Sequence, residues 1–477
     1  MSSMYSGNKL KQISLVLFGV LAGVLLSLNF SAVAQREEAR YPLPVDELRA
    51  FAEVYGAIKT GYVEPVEDKK LITEAINGML TGLDPHSAYL DQEAFKELQV
   101  GTQGEFGGLG IEVGMEDGFV KVVSPIEDTP AFRAGLKPGD LIIKLDDTPV
   151  KGMTLGDAVK RMRGKPKTAI RLTIVRKGEG QPFEVTVVRD VIRVQSVKSK
   201  TIEPGYGWLR ISQFQEHTGE HMVKHLNELY KKGELKGLVL DLRNDPGGLL
   251  NGAVGVSAAF LPPDAVVVTT DGRTEDAKRK YMASPADYLR GRGEDYLKNL
   301  PAGVKTVPMV VLVNGGSASA SEIVAGALQD YKRATVMGTQ SFGKGSVQTI
   351  MPLRNNTAIK LTTARYYTPS GRSIQAKGIT PDVMVEEPGA PTDRIREADL
   401  IKHLEGTGEE QGKSAPPREE SQPRESGASA PAKPIELGGP DDFQLKQALN
   451  QLKGLPVIAK LEEPAKKPDG AKAGAAK

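Results

Sequence analysis

Two runs of apolar residues, each followed by a glycine loop and then by a helical stretch, constrain the fold of this 477-residue chain most strongly. The first run, residues 238–242, precedes a helical stretch at 249–260. The second run, residues 308–313, precedes a stretch that contains 323–331. Short strands that are almost entirely apolar are typical of buried sheets, and their alternation with helices is typical of a layered α/β domain. We therefore predict an α/β core over residues 187–390.

Residues 100–186 have a different character, because short β-like runs alternate there with glycine turns. A single helix is predicted at 154–163. The pattern indicates a small, strand-rich domain that precedes the core. Its β-like runs are 110–113, 119–123, 140–145 and 169–176.

The first 34 residues have the pattern of an export signal. Lys9 and Lys11 precede an apolar run at 13–28, and small residues at 32–34 offer a cleavage site. A retained membrane anchor is the alternative, although the run is shorter than the roughly 20 residues that a spanning helix needs. In both cases we expect the rest of the chain outside the cytoplasm, in the periplasm or associated with the membrane.

The two ends of the exported chain are predicted to be helical. Residues 35–99 carry apolar side chains at helical spacing. Residues 391–440 are rich in Glu, Pro, Ser and Gly and are predicted to form a disordered linker. In the tail, residues 441–477, a helical stripe ends at Gly454 and needs a partner surface. That surface is either the chain's own core or a second subunit, and we favour dimerisation. The stripe consists of Leu445, Ala448, Leu449 and Leu452.

Composition argues against several kinds of function. The formal net charge of +2 gives no basis for nucleic-acid binding, and the absence of cysteine excludes disulfides and thiolate chemistry. His217, His221 and His225 share one face of a predicted helix, but no His-Glu-x-x-His pattern accompanies them. We predict that they face solvent, and we expect neither a metal nor a cofactor.

A serine-rich segment at 314–322 joins the second apolar strand to its helix. Free N–H groups and the positive dipole end of a helix suit a developing oxyanion. A capping box of Ser319 and Glu322 explains the same residues without catalysis. Spacing alone does not choose a nucleophile among Ser317, Ser319 and Ser321.

The loop at 338–345 nearly matches a phosphate-binding loop, but Gly345 stands where that motif needs a hydroxyl. The residues that follow form a predicted strand rather than a helix. A lysine between two glycines, Lys344, can instead act as a general base once burial has lowered its pKa.

Two further glycine loops have both structural and functional interpretations. The loop at 241–248 is either a tight turn or a means of presenting the N–H of Gly247 or Gly248 to a carbonyl oxygen. The loop at 107–111 leads into an apolar strand, and such loops hold a peptide carboxylate while the peptide pairs along the strand edge.

Taken together, these segments resemble the carboxyl-terminal processing proteases, or tail-specific proteases, over about residues 45–390. The resemblance depends on six motifs in a shared order. They are Gly-Gly-Leu-Gly-Ile at 107–111, Pro-Ala-x-x-Ala-Gly-Leu at 130–136, Asp-Leu-Arg-Asn at 241–244, Gly-Ser-Ala-Ser-Ala-Ser-Glu at 316–322, Phe-Gly-Lys-Gly-x-Val-Gln at 342–348 and Ala-Arg-Tyr-Tyr-Thr-Pro-Ser-Gly at 364–371.

The resemblance implies a crotonase-like α/β protease core with an inserted, β-rich PDZ domain and helical terminal regions. It implies Ser319 as nucleophile, Lys344 as base and Gln348 as the amide that orients the base. The oxyanion donors would be the N–H groups of Ala320 and of Gly247 or Gly248. Substrate C-termini would bind the PDZ domain, and Arg163 would couple this binding to the active site. The peptide-binding residues would be Gly108, Leu109, Gly110 and Ile111.

The resemblance leads us to expect a serine endopeptidase that cleaves envelope proteins with accessible C-termini. An envelope adaptor protein and a second copy of the chain, held through the terminal helices, are the other expected partners. The alternatives are a catalytically inactive PDZ scaffold and an acyl-transferring or hydratase-type enzyme on the same core.

Overall fold

The computed structural model describes residues 43–126, 128–291, 293–388, 395–406 and 436–460. The predicted export signal and most of the predicted linker lie outside these residues. The chain divides into two compact units, residues 1–75 and residues 76–477. Within the described ranges, none of the helices combines the length and the apolar composition that a membrane crossing requires.

Helices α1, Val45–Gly61, and α2, Asp68–Thr81, confirm the helical character of the N-terminal region. No residue of α1 is buried, so its apolar stripe is exposed. The exposed side chains include Val45, Leu48, Phe51 and Ile58.

The α/β core is built on a six-stranded sheet in the order β10-β11-β12-β15-β16-β19. Within this sheet β11, β12, β15, β16 and β19 are parallel, and β10 is antiparallel to β11. Parallel strands place their carboxyl ends, and the loops that follow, along one edge. The strands are β10 Val197–Glu203, β11 Tyr206–Ile211, β12 Gly237–Asp241, β15 Met309–Val313, β16 Thr335–Gly338 and β19 Val383–Met384, and the helices on one face are α6 Thr218–Tyr230, α7 Leu250–Phe260 and α9 Ala320–Asp330.

A second, antiparallel sheet carries the strand that follows Lys344. It has the order β1-β18-β13-β14, and β17 also pairs with β18. The strand predicted after Lys344 is confirmed as β17. The elements of this region are β1 Ala88–Leu90, β13 Val266–Gly272, β14 Arg279–Met282, β17 Ser346–Pro352, β18 Ala358–Tyr367 and helix α8 Pro285–Tyr288.

The strand-rich domain holds a sheet in the order β3-β4-β5-β7-β8, with β6 paired to β5. Strand β3 is an edge strand. A two-stranded ribbon of β2 and β9 closes the domain at its neck. The predicted helix is confirmed as α5, which Thr154 caps. The elements are α3 Gln92–Gln103, β2 Glu105–Gly108, β3 Ile111–Glu116, β4 Phe119–Pro125, α4 Pro130–Arg133, β5 Leu141–Leu145, β6 Thr148–Pro149, α5 Leu155–Met162, β7 Ala169–Val175, β8 Phe183–Val188 and β9 Asp190–Arg193.

The tail helix α10, Phe443–Leu452, packs on strands β12, β15 and β16 of its own core. Its stripe is buried against Val239, Val310 and Leu312, which alternate along the strands with the residues that face the other helices. A sheet of this kind needs an apolar layer on both faces. The prediction that this stripe joins two subunits is therefore wrong, and the stripe covers the chain's own core instead.

Part of the segment assigned to the disordered linker is ordered. A 3-10 helix occupies Glu397–Asp399, and the side chain of Glu397 is fully buried. The prediction of disorder is wrong for these residues, because composition describes the average of a segment and does not reveal one residue, such as Glu397, whose side chain is buried.

Candidate active site

Three serines lie at the start of α9, at the carboxyl end of β15, and the structure distinguishes them. Ser317 and Ser321 are fully buried. Their hydroxyls donate to the carbonyl oxygens of Leu242 at 2.8 Å and Asp245 at 2.9 Å. Ser319 is partly exposed and has a φ of +56°, a conformation that is rare for residues with a side chain. Only Ser319 therefore combines access with backbone strain.

The buried carboxylate of Glu322 joins the serine loop to the lysine loop. Its Oε2 accepts hydrogen bonds from the backbone N–H groups of Ser319, at 2.8 Å, and Lys344, at 3.0 Å. Its Oε1 accepts from the N–H of Gly343 at 2.7 Å and from the Ser341 hydroxyl at 2.5 Å. Burial raises the pKa of Glu322 to about 7, although these hydrogen bonds oppose the rise. One oxygen atom thus fixes the backbones of both candidate catalytic residues.

Lys344 lies in the loop before β17, where burial disfavours its ammonium form. Burial, and then the charge of Lys360, lowers the pKa of Lys344 to about 8, while Glu397, Glu322 and Asp84 oppose the shift. Among the described residues its ammonium forms no salt bridge within 4.0 Å. The pKa is lowered in the direction that a general base requires.

Tyr366 also lies between the serine and the lysine, and sequence reasoning gave it no role. Its buried hydroxyl donates to the backbone carbonyl of Lys344 and lies within hydrogen-bonding reach of the Ser319 side chain. Burial raises the pKa of Tyr366 well above its usual value, so the hydroxyl stays neutral. Tyr366 belongs to the motif at 364–371, but the sequence spacing gave no reason to assign it a role that its neighbours lack.

Gln348 lies on β17, as predicted, four residues after the lysine. Its amide nitrogen donates to the hydroxyls of Ser346, at 3.0 Å, and Thr362, at 3.3 Å. The Thr362 hydroxyl donates in turn to the buried carboxylate of Asp84 at 3.0 Å. The structure thus links Gln348 to a polar chain beside the lysine rather than to its amine.

A second buried carboxyl, Glu397, lies on the other side of the lysine loop. It is 2.8 Å from Nε2 of His86 and accepts from the Gln375 amide at 2.8 Å. The amide oxygen of Gln375 accepts in turn from the N–H of Gly345 at 2.9 Å. His86, Gln375 and Glu397 are far apart in sequence, so no local pattern links them to the lysine loop.

The glycine loop at 244–248 lies against the serine. A Cβ atom on Gly247 would be 2.8 Å from Cβ of Ser319, so the close approach requires glycine. The N–H of Gly247 donates to the Asp245 carboxylate at 2.8 Å, and this bond corrects its assignment as an oxyanion donor. The N–H groups of Gly248 and Ala320 have no acceptor within the described part of the chain. These two donors remain for a substrate oxygen.

The predicted peptide loop joins the ribbon to the edge strand β3. Gly108 pairs with Asp190 in the ribbon, and Leu109 is buried. The carbonyl of Gly110, a residue with φ of +78°, accepts from the N–H of Ile126 at 2.9 Å. Ile111 begins β3, so the loop is followed directly by an unpaired strand edge.

Arg163 lies at the neck of the strand-rich domain. Its guanidinium stacks 4.7 Å above the ring of Phe106 in β2. The structure therefore places Arg163 at the ribbon and not beside Ser319.

Of the three histidines, His217 is the N-cap of α6 and the other two lie within the helix. His217 is 3.1 Å from Glu220, and His225 is 2.9 Å from the Ser199 hydroxyl. His221 and His225 are half-buried, which corrects the prediction that all three face solvent. Over the described ranges no three potential ligands cluster as a metal site would require.

Comparison with known proteins finds three family models along the chain. Residues 205–385 match peptidase family S41, residues 107–187 match the PDZ domain, and residues 26–94 match the activating protease CtpB N-terminal domain. A carboxy-terminal-processing protease of Bartonella bacilliformis is 44% identical over 91% of this chain and 95% of its own length.

More distant relatives share most of the chain as well. The carboxy-terminal processing protease CtpA of Bacillus subtilis is 35% identical over 80% of this chain and 78% of its own length. A solved photosystem II D1 C-terminal processing protease is 30% identical, covers 72% of this chain and 88% of its own, and has a TM-score of 0.40.

Proposed function

This chain belongs to the carboxy-terminal processing proteases of peptidase family S41, and from that premise we propose that it is a periplasmic endopeptidase with a Ser319/Lys344 dyad. It is a serine-type peptidase with a PDZ domain. The proposal adds which residues act, where the enzyme works, and that envelope proteins with accessible C-termini are its substrates. The observation that carries it is the single Glu322 oxygen that holds the backbones of Ser319 and Lys344 together.

In this proposal the neutral amine of Lys344 takes the hydroxyl proton of Ser319 as the serine oxygen attacks the scissile carbonyl. The carbonyl oxygen becomes an oxyanion, which the N–H groups of Gly248 and Ala320 stabilise. The Lys344 ammonium then gives its proton to the leaving amine, and an acyl-enzyme remains. Water attacks the ester, again with Lys344 as base, and restores the serine. Gln348 has the role of keeping the lysine side of the site ordered through Ser346 and Thr362.

The pKa of Lys344 fits this role. A base with a pKa of about 8 is neutral in roughly a tenth of the molecules at pH 7. An ordinary lysine would be neutral in fewer than about one molecule in a thousand at that pH. Burial therefore raises the active fraction by more than two orders of magnitude without a histidine.

Substrate tails are proposed to bind the PDZ domain as an added strand along β3. Ile111 and Val113 of this edge strand and Leu155 and Val159 of α5 are partly buried apolar residues that pack on the domain core. They offer apolar contacts to a tail beside the loop at 107–111. The tail carboxylate would bind backbone N–H groups of that loop.

A short strap, Phe214 to Glu216, supports the proposal that this PDZ domain gates the active site. The N–H of Phe214 donates to the carbonyl of Gly247, and its carbonyl accepts from the N–H of Leu249, both at 2.9 Å. Two residues later, the N–H of Glu216 donates to the carbonyl of Thr102 at the end of α3, at 3.1 Å. Movement at the neck would therefore reach the residues on both sides of Gly248.

Partners and location complete the proposal. The exposed apolar stripe of α1 is the surface proposed for self-association, since the stripe of α10 is already buried. An envelope adaptor protein is proposed as a further partner, because a gated protease needs a signal that releases it. The export pattern at 1–34 supports a periplasmic location.

Purified variants test the dyad directly. Ser319→Ala and Lys344→Met should each abolish cleavage of an unfolded protein, while a C-terminal peptide still binds with wild-type affinity. Ser370→Ala and Lys198→Met, at positions away from the site, serve as controls and should cleave normally. Full cleavage by Lys344→Met would contradict the dyad. Tail binding with no cleavage by the wild-type protein, in any condition, would leave an inactive scaffold as the function.

A further inference from the structure

We propose that Asp442, at the start of helix α10, is a positioning residue for the proposed peptide hydrolysis, and that it acts by holding Arg243 under the glycine loop at 244–248. The inference rests on the proposed function. Asp442 lies beyond the residues that match the peptidase family model, and neither the motifs nor the comparisons give it a role.

Arg243 is clamped between two buried carboxylates. Its guanidinium donates to both oxygens of Asp442, at 2.8 and 2.6 Å, and to both oxygens of Asp241, at 2.9 and 2.6 Å. All three side chains are at most 1% exposed. Gln444 accepts one further bond from the guanidinium at 3.1 Å. Two bidentate pairs of this kind fix the guanidinium in orientation as well as position.

The backbone that follows Arg243 supports the whole site. The N–H of Asn244 donates to the Asn314 side chain at 2.9 Å, and the carbonyl of Asp245 accepts from the N–H of Ala318 at 3.0 Å. The same stretch ends in Gly248, whose N–H is a proposed oxyanion donor. A shift of Arg243 would therefore move an oxyanion donor and the serine loop together.

The carboxylate of Asp442 has three roles. Its Oδ1 caps α10 by accepting from the N–H of Leu445 at 3.0 Å, its Oδ2 accepts from the N–H of Gly438 at 2.8 Å, and both oxygens neutralise Arg243. Asparagine is an equally good N-cap but carries no charge. With its oxygen at the Oδ1 position, Asp442→Asn keeps the cap and removes the charge that Arg243 faces, leaving a buried guanidinium that one carboxylate no longer balances. It also loses the bond from the N–H of Gly438, which is the reason for a control at the same helix start.

Turnover of a short peptide that lacks a PDZ tail is the first measurement, at a temperature where circular dichroism shows the variant fully folded. We expect kcat of Asp442→Asn to fall on the order of tenfold, with KM within about twofold of wild type. A peptide boronate, which forms a tetrahedral adduct with a reactive serine, should bind on the order of tenfold more weakly, because the adduct needs the same N–H groups.

Glu387→Gln is the matched control. The Glu387 carboxylate accepts from the N–H groups of Phe443, at 3.3 Å, and Gln444, at 3.1 Å, so it holds the same helix start. It interacts with Arg243 through charge alone and makes no hydrogen bond to it. It should lower the melting temperature but leave kcat and boronate affinity within about twofold of wild type. An equal loss of kcat in both variants would overturn the inference, because attachment of the helix would then be the cause.

Two further outcomes are decisive. A kcat and a boronate affinity in Asp442→Asn that match wild type would overturn the inference. If that variant does not fold, Asp442→Glu takes its place, because its longer side chain keeps the charge but cannot hold Arg243 in the same position. A kcat and a boronate affinity in Asp442→Glu that match wild type would overturn the inference equally. Ser319→Ala in the same assay distinguishes a failure of the proposed function from a failure of this inference alone. Hydrolysis that survives in Ser319→Ala contradicts the proposed function, whereas Ser319-dependent hydrolysis that is indifferent to Asp442 contradicts only this inference.

Discussion

The lowered pKa of Lys344 predicts how turnover depends on pH. A general base must be neutral, so kcat/KM for a short, untailed peptide should rise with pH and level off above a midpoint near 8. The rate at pH 7 should be roughly a tenth of the plateau. Because Glu322 titrates at about 7 in the same cluster, the midpoint belongs to the coupled pair. A rate that is flat between pH 6 and 9 would refute the assignment of Lys344 as the base.

Lys360 offers an independent check, because its charge is the second cause of the lowered pKa of Lys344. Lys360→Met should raise the pKa of Lys344 and move the rising limb to higher pH. Lys360→Arg keeps the charge and should leave the limb in place. If both variants move the limb equally, packing rather than charge sets the midpoint.

The pH dependence of the free energy of unfolding is a second measure of the pKa of Lys344. The unfolded chain binds the Lys344 proton up to about pH 10.5 and the folded chain only up to about pH 8, so the free energy of unfolding of the wild type should rise with pH between these values. Below pH 8 the buried ammonium is destabilising by up to about 3 kcal/mol. Lys344→Met should therefore be more stable than wild type at pH 7, with the difference vanishing near pH 10.5 in urea unfolding. A less stable Lys344→Met at pH 7 would contradict the burial argument.

Three further predictions concern the loops and the tail. Gly248→Ala should fold with reduced stability and lose most of its kcat, because the added Cβ would lie 2.1 Å from the Phe214 carbonyl oxygen and the φ of this residue is +143°. Peptide binding to the PDZ domain is the control and should not change. Leu449→Ala should lower the free energy of unfolding by about 2–5 kcal/mol, since it opens a cavity between α10 and the sheet. Light scattering should give the same mass as for the wild type, and a drop in mass would instead support a role of this stripe in dimerisation. Gln215→Ala, in the strap, removes the side-chain amide that donates to the carbonyl of Gly101 in α3 at 3.5 Å, so it should reduce the ratio of rates on tailed and untailed substrates. An unaltered ratio would argue that gating takes another route.

The elements of the core could be predicted because their signal is local. The strand around residue 311 is apolar along its whole length, the strand around residue 240 is apolar except for the buried Asp241, and each is followed within a few residues by a glycine loop and a helix. Burial on both faces leaves that pattern in any chain that folds this way. The antiparallel sheet of β13, β14, β17 and β18 was not predicted as a sheet, because its pairing joins segments far apart in sequence.

The docking surface of α10 shows a different kind of limit. The stripe of Leu445, Ala448 and Leu449 correctly predicted an amphipathic helix that needs a partner. Periodicity reports that one face is apolar, but it contains no information about the surface that covers it. That surface is formed by Val239, Val310 and Leu312, more than a hundred residues earlier.

The serine was the least certain part of the site from sequence, and the structure shows why the spacing could not decide. Ser317 and Ser321 have hydroxyls bonded to backbone carbonyls of another loop, and no periodicity records such bonds. The positive φ of Ser319 is likewise a property of the folded loop. Only the resemblance to known proteases preferred the middle serine before the fold was known.

Glu322 shows that the capping and catalytic interpretations of this segment are not alternatives. The sequence motif is a helix cap, and the structure contains half of that cap, the bond from the N–H of Ser319 to the Glu322 carboxylate. The same carboxylate oxygen accepts from the N–H of Lys344, so a residue in the first turn of the helix also sets the position of the base. A conservative cap residue such as glutamine could bond to Ser319, but it offers one acceptor oxygen where four donors converge. The requirement for a carboxylate therefore comes from the lysine loop and not from the helix.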